Sequence, residues 1–340
     1  MADVRLEIEM SDNEEYSADS IVVLEGMEAV RRRPSMYIGS TGPKGLAHLV
    51  WEVISNSIDE HLAGHATRVD VRRAHDGSWW VRDDGRGVPV DTHPEVLEKV
   101  FCTLHSGSTW DGHAPHIHGG LFGLGVAPVC ALSSWMRVEI RRAGVIWQQL
   151  FVHGRPAGPL ARVGSCQDTG TAVQYLPDLE IFMGERPKPA DLRPRMIELA
   201  ALTPKMAFTL QGEDLSTPGG ILALASTRAG PGATLQIAGD VHDIDVQVAV
   251  AWGLKGQSNR LFVNHVAMVE TAPVPNELLG STRQEGRHAV ASLVMRDPRF
   301  AGPTRARLDN PEALMALQHL LSDALPGFLA DHPEVATPVV

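Results

Sequence analysis

The chain of 340 residues holds only three cysteines, Cys102, Cys130 and Cys166, widely separated and without a CxxC pair. That spacing supplies neither a disulfide framework nor a thiolate metal site, and a reducing cytoplasmic setting fits it. Positive charge is also short: 30 Lys and Arg stand against 41 Asp and Glu, a formal net charge of −11. Affinity for a phosphate backbone rests on those cations, so a nucleic-acid role is expected only indirectly, through a partner. No apolar run approaches membrane-spanning length, and the acidic start MADVRLEIEMSDNEE lacks the basic head and apolar core of a signal peptide. The expectation is a cytoplasmic protein with no membrane partner. Repeats, low-complexity tracts and a GxxxxGK[ST] phosphate loop are all missing.

What is present describes a globular protein, 44% hydrophobic and 21% charged, long enough for two domains of ordinary size. The most informative stretch is GLAHLVWEVISNSIDE, Gly45 to Glu60. At the helical period it sets Leu46, Val50, Val53 and Ser57 on one side and His48, Glu52, Asn56 and Asp59 on the other. Residues i, i+4 and i+8 stack along one face, so His48, Glu52 and Asn56 present a base and an amide to a single bound molecule, an arrangement suited to phosphoryl chemistry. The same pattern also describes the solvated face of an ordinary amphipathic helix.

Residues 1–20 read as a polar, acidic arm carrying Tyr16. From Ile21 a helical pattern places Val23, Met27 and Val30 on one face and stops at Pro34. RVDVRRAHDGSWWVRDDGRGVPV alternates like two strands joined at His75-Asp76-Gly77. It ends in Asp83-Asp84-Gly85-Arg86-Gly87, where glycines admit close approach of a flat ligand, although such a run on its own is also an ordinary turn. A Gly/His-rich loop then leads through Gly119, Gly120, Gly123 and Gly125 into an apolar helix, whose amide-rich start makes an anion cradle. MRVEIRRAG, VIWQQLFVHG and GTAVQYLP read as antiparallel strands, and a helix follows near Leu192 to Leu202. The polar stretch around Gly212 to Gly220 marks a domain boundary, dividing residues 21–215 from 216–340. Beyond it come strand-like segments and a terminal helix capped by Asn310-Pro311-Glu312 and ending near His332.

Taken in order, these motifs resemble the Bergerat (GHKL) ATP-binding fold of gyrase, heat-shock chaperones, histidine kinases and mismatch-repair clamps. LEGMEAVRRRPSMYIGS, HLVWEVISNSIDEHLAGHA, VRDDGRGVPVDTHP and GGLFGLGVAPVCALS are similar to the ATPase region of DNA gyrase B and its topoisomerase IV counterpart. The likeness covers most of residues 16–182 and thins into VMRDPRFAGPTRARL and the terminal helix, which resemble the family's transducer. It implies an α+β fold: a two-layer ATPase sandwich followed by a smaller, shortened domain like ribosomal protein S5. By position it implies Glu52 as general base, His48 as its orienting partner, and Asn56 as the ligand holding Mg²⁺ to the phosphates of ATP. Asp83 would accept from the adenine amino group, with Gly87, Val88 and Thr171 around it. Gly119, Gly120, Leu121, Phe122, Gly123, Leu124 and Gly125 would wrap the phosphates. Arg86, Pro89 and Arg142 would line the mouth where the family's aminocoumarin inhibitors bind, and Tyr16 would reach into the partner's site of an ATP-dependent homodimer.

The chain departs from that pattern at several places. Thr109 and His116 stand where the family carries lysines beside the nucleotide, which removes charge neutralisation and predicts weakened binding and turnover. Arg305 stands where a transducer lysine reaches the γ-phosphate, keeping the charge with altered geometry. His105, His113, His116 and His118 cluster without an acid or thiol to complete a metal site. Motifs for DNA cleavage do not occur in the chain, so cutting DNA is expected to need a gyrase-A-like or other cleavage partner. Two functions remain: an ATP-hydrolysing clamp, or a non-catalytic paralogue that holds nucleotide or an aminocoumarin-type inhibitor as a regulator, decoy or resistance protein.

Overall fold

Two short strands separated by a polar turn form the hairpin that centres the fold. Strand β1 (Arg68–Arg73) pairs antiparallel with β2 (Trp79–Asp83), with Val71 opposite Val81 and Val69 opposite Asp83. The turn is where the sequence places it: Asp76 Oδ1 accepts from the backbone N–H and hydroxyl of Ser78 at 2.8 and 2.7 Å, which closes a tight Asx turn. The computed structural model describes residues 26–104, 125–184, 187–253, 255–268, 279–296, 298–301 and 307–337.

Around this hairpin a nine-stranded mixed sheet assembles. On one side β2 meets β7 (Gly170–Pro177), then β3 (Ser133–Arg142), then β4 (Val145–Val152), with β5 (Arg155–Pro156) and β6 (Ala161–Ser165) both on β4. On the other side β1 runs parallel to β8 (Ala207–Leu210), which ends at β9 (Glu213–Asp214). Alternation puts Val69, Val71, Trp79, Val81, Val138, Ile140, Phe151 and Tyr175 into one buried core.

Helices cover that face. They are α1 (Gly26–Arg32), α2 (Ser35–Ile38), α3 (Pro43–Leu62), α4 (Val96–Cys102), α5 (Ala127–Ala131) and α6 (Pro189–Leu202). Met27 and Val30 of α1 are buried as the sequence expects. Arg31 anchors that helix by donating to Ala131 O at 2.8 Å and to Asp178 Oδ2 at 2.6 Å. The long helix α3 lies across β1 and β2 and also meets α2 and α5. For that reason the expected division into a packed side and an open side fails over its middle turns. His48 and Glu52 are 7% and 3% exposed, and only Asn56 faces solvent.

The second sheet runs β10 (Thr234–Val241), β11 (Ile244–Trp252), β14 (Arg287–Val294), β12 (Ser258–Val263) and β13 (Val266–Ala267), with β12 parallel to β14. Helix α7 (Gly220–Ala229) packs Ile221 and Ala225 on one face, against Ala249, Ala251 and Phe262. Helix α8 (Pro311–Asp331) packs Ala316, Leu317 and Leu321 on the other. This last helix corrects two expectations. It has the length and mean hydropathy, 1.2, of a membrane span, although the sequence reading expects no such run, and its apolar stripe serves the core of this sheet. Asn310 occupies the cap position, but its side chain accepts from Arg299 N and donates to the Glu312 carboxylate instead of accepting a backbone N–H of the first helical turn.

Candidate functional site

The site is built where the C-terminal half of α3, the end of β2 and the start of β7 converge. Asp83, the last residue of β2, is 7% exposed. Its Oδ2 accepts from Ser57 Oγ at 2.9 Å, and its Oδ1 accepts from the backbone N–H of Gly85 at 3.0 Å and of Thr171 at 3.2 Å. Burial raises its carboxyl to about 6, against the lowering effect of these three donors. The adjacent Asp84 points elsewhere, accepting from Thr67 N at 2.7 Å and Arg68 N at 2.9 Å and so fixing the start of β1.

Two glycines let the chain close around that carboxylate. Gly170 has φ +146, and a Cβ there would lie 2.2 Å from the Asp83 carbonyl oxygen. Gly87 has φ +71, and its Cβ would lie 2.8 Å from Arg141 O. The substitution Gly170→Ala must therefore displace the end of β2, and it is expected to cost about 2–4 kcal/mol, measured as a lowered denaturant midpoint.

Above Asp83 the mouth is a lattice of paired arginines. Glu60 receives the backbone N–H of Arg86 at 2.9 Å and its guanidinium at 2.8 Å. Burial pushes the Glu60 carboxyl upward, but Arg86 outweighs it and holds the group below its ordinary value. Arg142 donates to Asp91 Oδ1 at 2.7 Å and to Gly87 O at 3.0 Å. Arg86, Asp91 and Arg142, with His65, Gly85, Ala143 and Thr169, line an open cleft of about 450 Å³, a volume in the range of small-molecule sites. Val88 and Pro89, which follow in the chain, are half-buried.

Deeper on α3, His48 Nε2 stands 3.2 Å from Glu52 Oε1. Burial lowers His48 to about 4, so at neutral pH the contact is a neutral imidazole hydrogen-bonded to a carboxylate rather than an ion pair. Asn56, one turn further along, is exposed. Its amide oxygen fits a magnesium ion that takes few protein ligands and completes its shell with water and substrate phosphates.

Of the residues expected at the site, His48, Glu52 and Asn56 fall on α3, Asp83 ends β2, Arg86, Gly87, Val88 and Pro89 lie in the loop that follows it, Arg142 ends β3 and Thr171 is near the start of β7. Gly125, with φ +65, stands just ahead of α5. Tyr16, Thr109, His116, Gly119, Gly120, Leu121, Phe122, Gly123, Leu124 and Arg305 lie outside the described residues. So do His105, His113 and His118 of the histidine cluster. Sequence reasoning missed Ser57, Glu60 and Asp91. Periodicity assigns Ser57 to packing; the polar residue inside an apolar face is the available signal. Glu60 and Asp91 leave no local mark, because their partners lie 26 and 51 residues away.

A buried carboxylate held by backbone amides beside a helix bearing a His–Glu pair defines the class. Residues 41–180 match the family described as histidine kinase-, DNA gyrase B- and HSP90-like ATPase. Within that class the chain belongs to the DNA gyrase B family. It is 36% identical to the DNA gyrase B protein of Synechocystis, over 96% of this chain and 34% of that protein. It is 35% identical to that of Haloferax volcanii, over 97% of this chain and 59% of that protein. The chain thus spans between about a third and three-fifths of the relatives it matches. A crystal structure of the 43K ATPase domain of Thermus thermophilus gyrase B in complex with an aminocoumarin superposes with a TM-score of 0.75, at 30% identity and 92% coverage of both chains. The DNA gyrase B structure from Myxococcus xanthus gives the same score at 25% identity, covering 91% of this chain and 96% of that one.

Proposed function

We propose that the chain is an ATP-hydrolysing clamp that dimerises when ATP is bound and contributes to DNA topology only with a cleavage partner of the gyrase A kind. The observation that carries this reading is Asp83, a buried carboxylate held by three donors, one of them the backbone of Gly85 in the wall of the open cleft. An adenine amino group is the complementary donor. Arg86 and Arg142 at the mouth are the natural contacts for ribose or for an aminocoumarin-type inhibitor, the ligand of the Thermus relative.

In the proposed reaction Glu52 accepts the proton of a water that attacks the γ-phosphorus in line, and the P–O bond to ADP breaks as the new one forms. Neutral His48 donates to the Glu52 carboxylate, fixing which oxygen faces the water. Asn56 would hold Mg²⁺, whose charge offsets that of the phosphates. Arg305 would approach the γ-phosphate from the second domain, and the arm carrying Tyr16 would complete the homodimer. A cytoplasmic location accords with this role.

The non-catalytic alternative draws on Thr109 and His116, which leave fewer cations for a triphosphate than the family's lysines. Calorimetric titration with ATP·Mg²⁺ across pH tests the binding half of the reading. Because the folded value of Asp83 is raised, the group ionises only above about 6, and only the ionised form is a pure acceptor for adenine. Affinity is expected to be level at pH 7–8 and to fall about tenfold per pH unit once pH drops below the Asp83 value. The fold itself shows the opposite sign at this residue: the stability contribution is fully present below the ordinary carboxylate value and lost as pH rises through about 6. No heat of binding at any pH would sink the nucleotide reading.

A further inference from the structure

A second open cleft, of about 700 Å³, shares no lining residue with the one beside Asp83. Helix α1 forms one wall with Met27, Glu28, Arg31 and Arg32, and the turn from β4 to β5 forms the other with Val152, His153 and Arg155. Three arginines and a histidine thus face a single acid, in a chain whose formal net charge is −11. Both walls are pinned to α5. Arg31 donates to Ala131 O at 2.8 Å, and a Cβ on Gly154 would lie 3.0 Å from Ala131 Cα and from Met27 Cβ, so the turn is pressed against α5 and α1. That turn is only His153, at φ +50, and Gly154, at φ +79, which makes Val152 and Arg155 direct cross-strand partners. Behind the walls Asp178, its side chain 5% exposed, accepts from Arg31 at 2.6 Å and meets His153 Nδ1 at 3.2 Å. Burial would raise the Asp178 carboxyl, but Arg31 and, to a smaller extent, His153 hold it below its ordinary value, so it stays charged and fixes both side chains. Arg32 and Arg155 differ from Arg31: both are exposed, and neither has a carboxylate partner among the described residues.

We propose that this cleft binds a small organic anion, one with a doubly charged oxyanion head on a short apolar body. Arg32 from the helix and Arg155 from the turn supply forked N–H donors that match such a head, and the Nε2 edge of His153 adds a third contact. Met27 and Val152 give the body an apolar surface to lie on. Arg31 remains on Asp178 and acts through its charge alone. Glu28 is the opposing group, and its charge restrains affinity. The volume is in the range of small-molecule sites, and the walls are held in place by α5 before any ligand arrives, so little ordering is left to oppose binding. None of the residues assigned to nucleotide takes part, so this site stands or falls apart from the ATP reading.

The test is calorimetric titration of the full chain with 1-naphthyl phosphate, with inorganic phosphate and 1-naphthol as controls for head and body. The naphthyl phosphate is expected to bind, more tightly than inorganic phosphate and less tightly as salt is raised, while 1-naphthol gives no heat. Arg32→Gln and Arg155→Gln should each raise its dissociation constant about tenfold, the range for losing hydrogen bonds to a charged group. Both side chains are exposed, and circular dichroism verifies that the variants are folded. Glu28→Gln should tighten binding about threefold, a gain that misfolding cannot produce. Asp83→Asn should leave it unchanged. The proposal is overturned by no binding of naphthyl phosphate, by equal binding of 1-naphthol, or by arginine variants that bind as the wild type does. Loss of binding in Asp83→Asn would also overturn it, because the ligand would then occupy the nucleotide cleft.

Discussion

Glu52→Gln is expected to lower ATP turnover by about 10²- to 10⁴-fold, the usual contribution of a general base. Nucleotide affinity should stay within about threefold, because the amide keeps the volume and the hydrogen-bonding reach of the side chain. Glu52 is almost fully buried and held 3.2 Å from His48, so its carboxylate has a fixed orientation that glutamine can copy, but glutamine cannot take a proton. Phosphate release measured beside calorimetric binding in the same samples separates the two effects. A variant that loses both would make Glu52 a structural residue.

Asp83→Asn carries the second large effect, in the opposite compartment of the cycle. The amide oxygen can still accept from Gly85 and Thr171, but the NH₂ group takes the place of Oδ2, where it must donate to Ser57 Oγ and meets the adenine amino group donor against donor. The dissociation constant for ATP is expected to rise about 10- to 100-fold, the range for leaving a buried hydrogen-bonding group mismatched. Stability should not fall with it. Burial of the charged carboxylate already opposes folding at neutral pH, so removing the charge is expected to hold or raise the thermal midpoint at pH 8. Weakened binding with an unchanged or higher midpoint, by calorimetry and thermal unfolding, marks a binding residue. A collapse of both would mark a packing one.

The residues legible in the sequence are those whose chemistry is local. Val69, Val71, Val81 and Tyr175 alternate, and the alternation alone places them in the core. Asp76-Gly77 defines its own turn, and the glycines around Asp83 announce a close approach that Gly170 and Gly87 display in the structure. The failures have a common physical origin in tertiary contact. Helix periodicity distinguishes faces, but α3 is covered from the sheet below and from α2 and α5, so a polar pair expected in solvent lies buried and a serine expected in the core holds a carboxylate. The pairings Glu60–Arg86 and Arg142–Asp91 bridge long stretches of chain that no local pattern connects. Asn310 has the chemistry of a helix cap, yet the neighbouring Arg299 amide claims its oxygen first.

The most direct test of the account is phosphate release from ATP·Mg²⁺ by the full chain over a range of protein concentrations, with Glu52→Gln measured alongside. The account predicts release that rises faster than linearly with protein, as a nucleotide-dependent dimer requires, and that is lost in the variant while binding persists. Binding of ATP without release at any concentration would contradict it and leave a nucleotide-holding module in place of an ATPase.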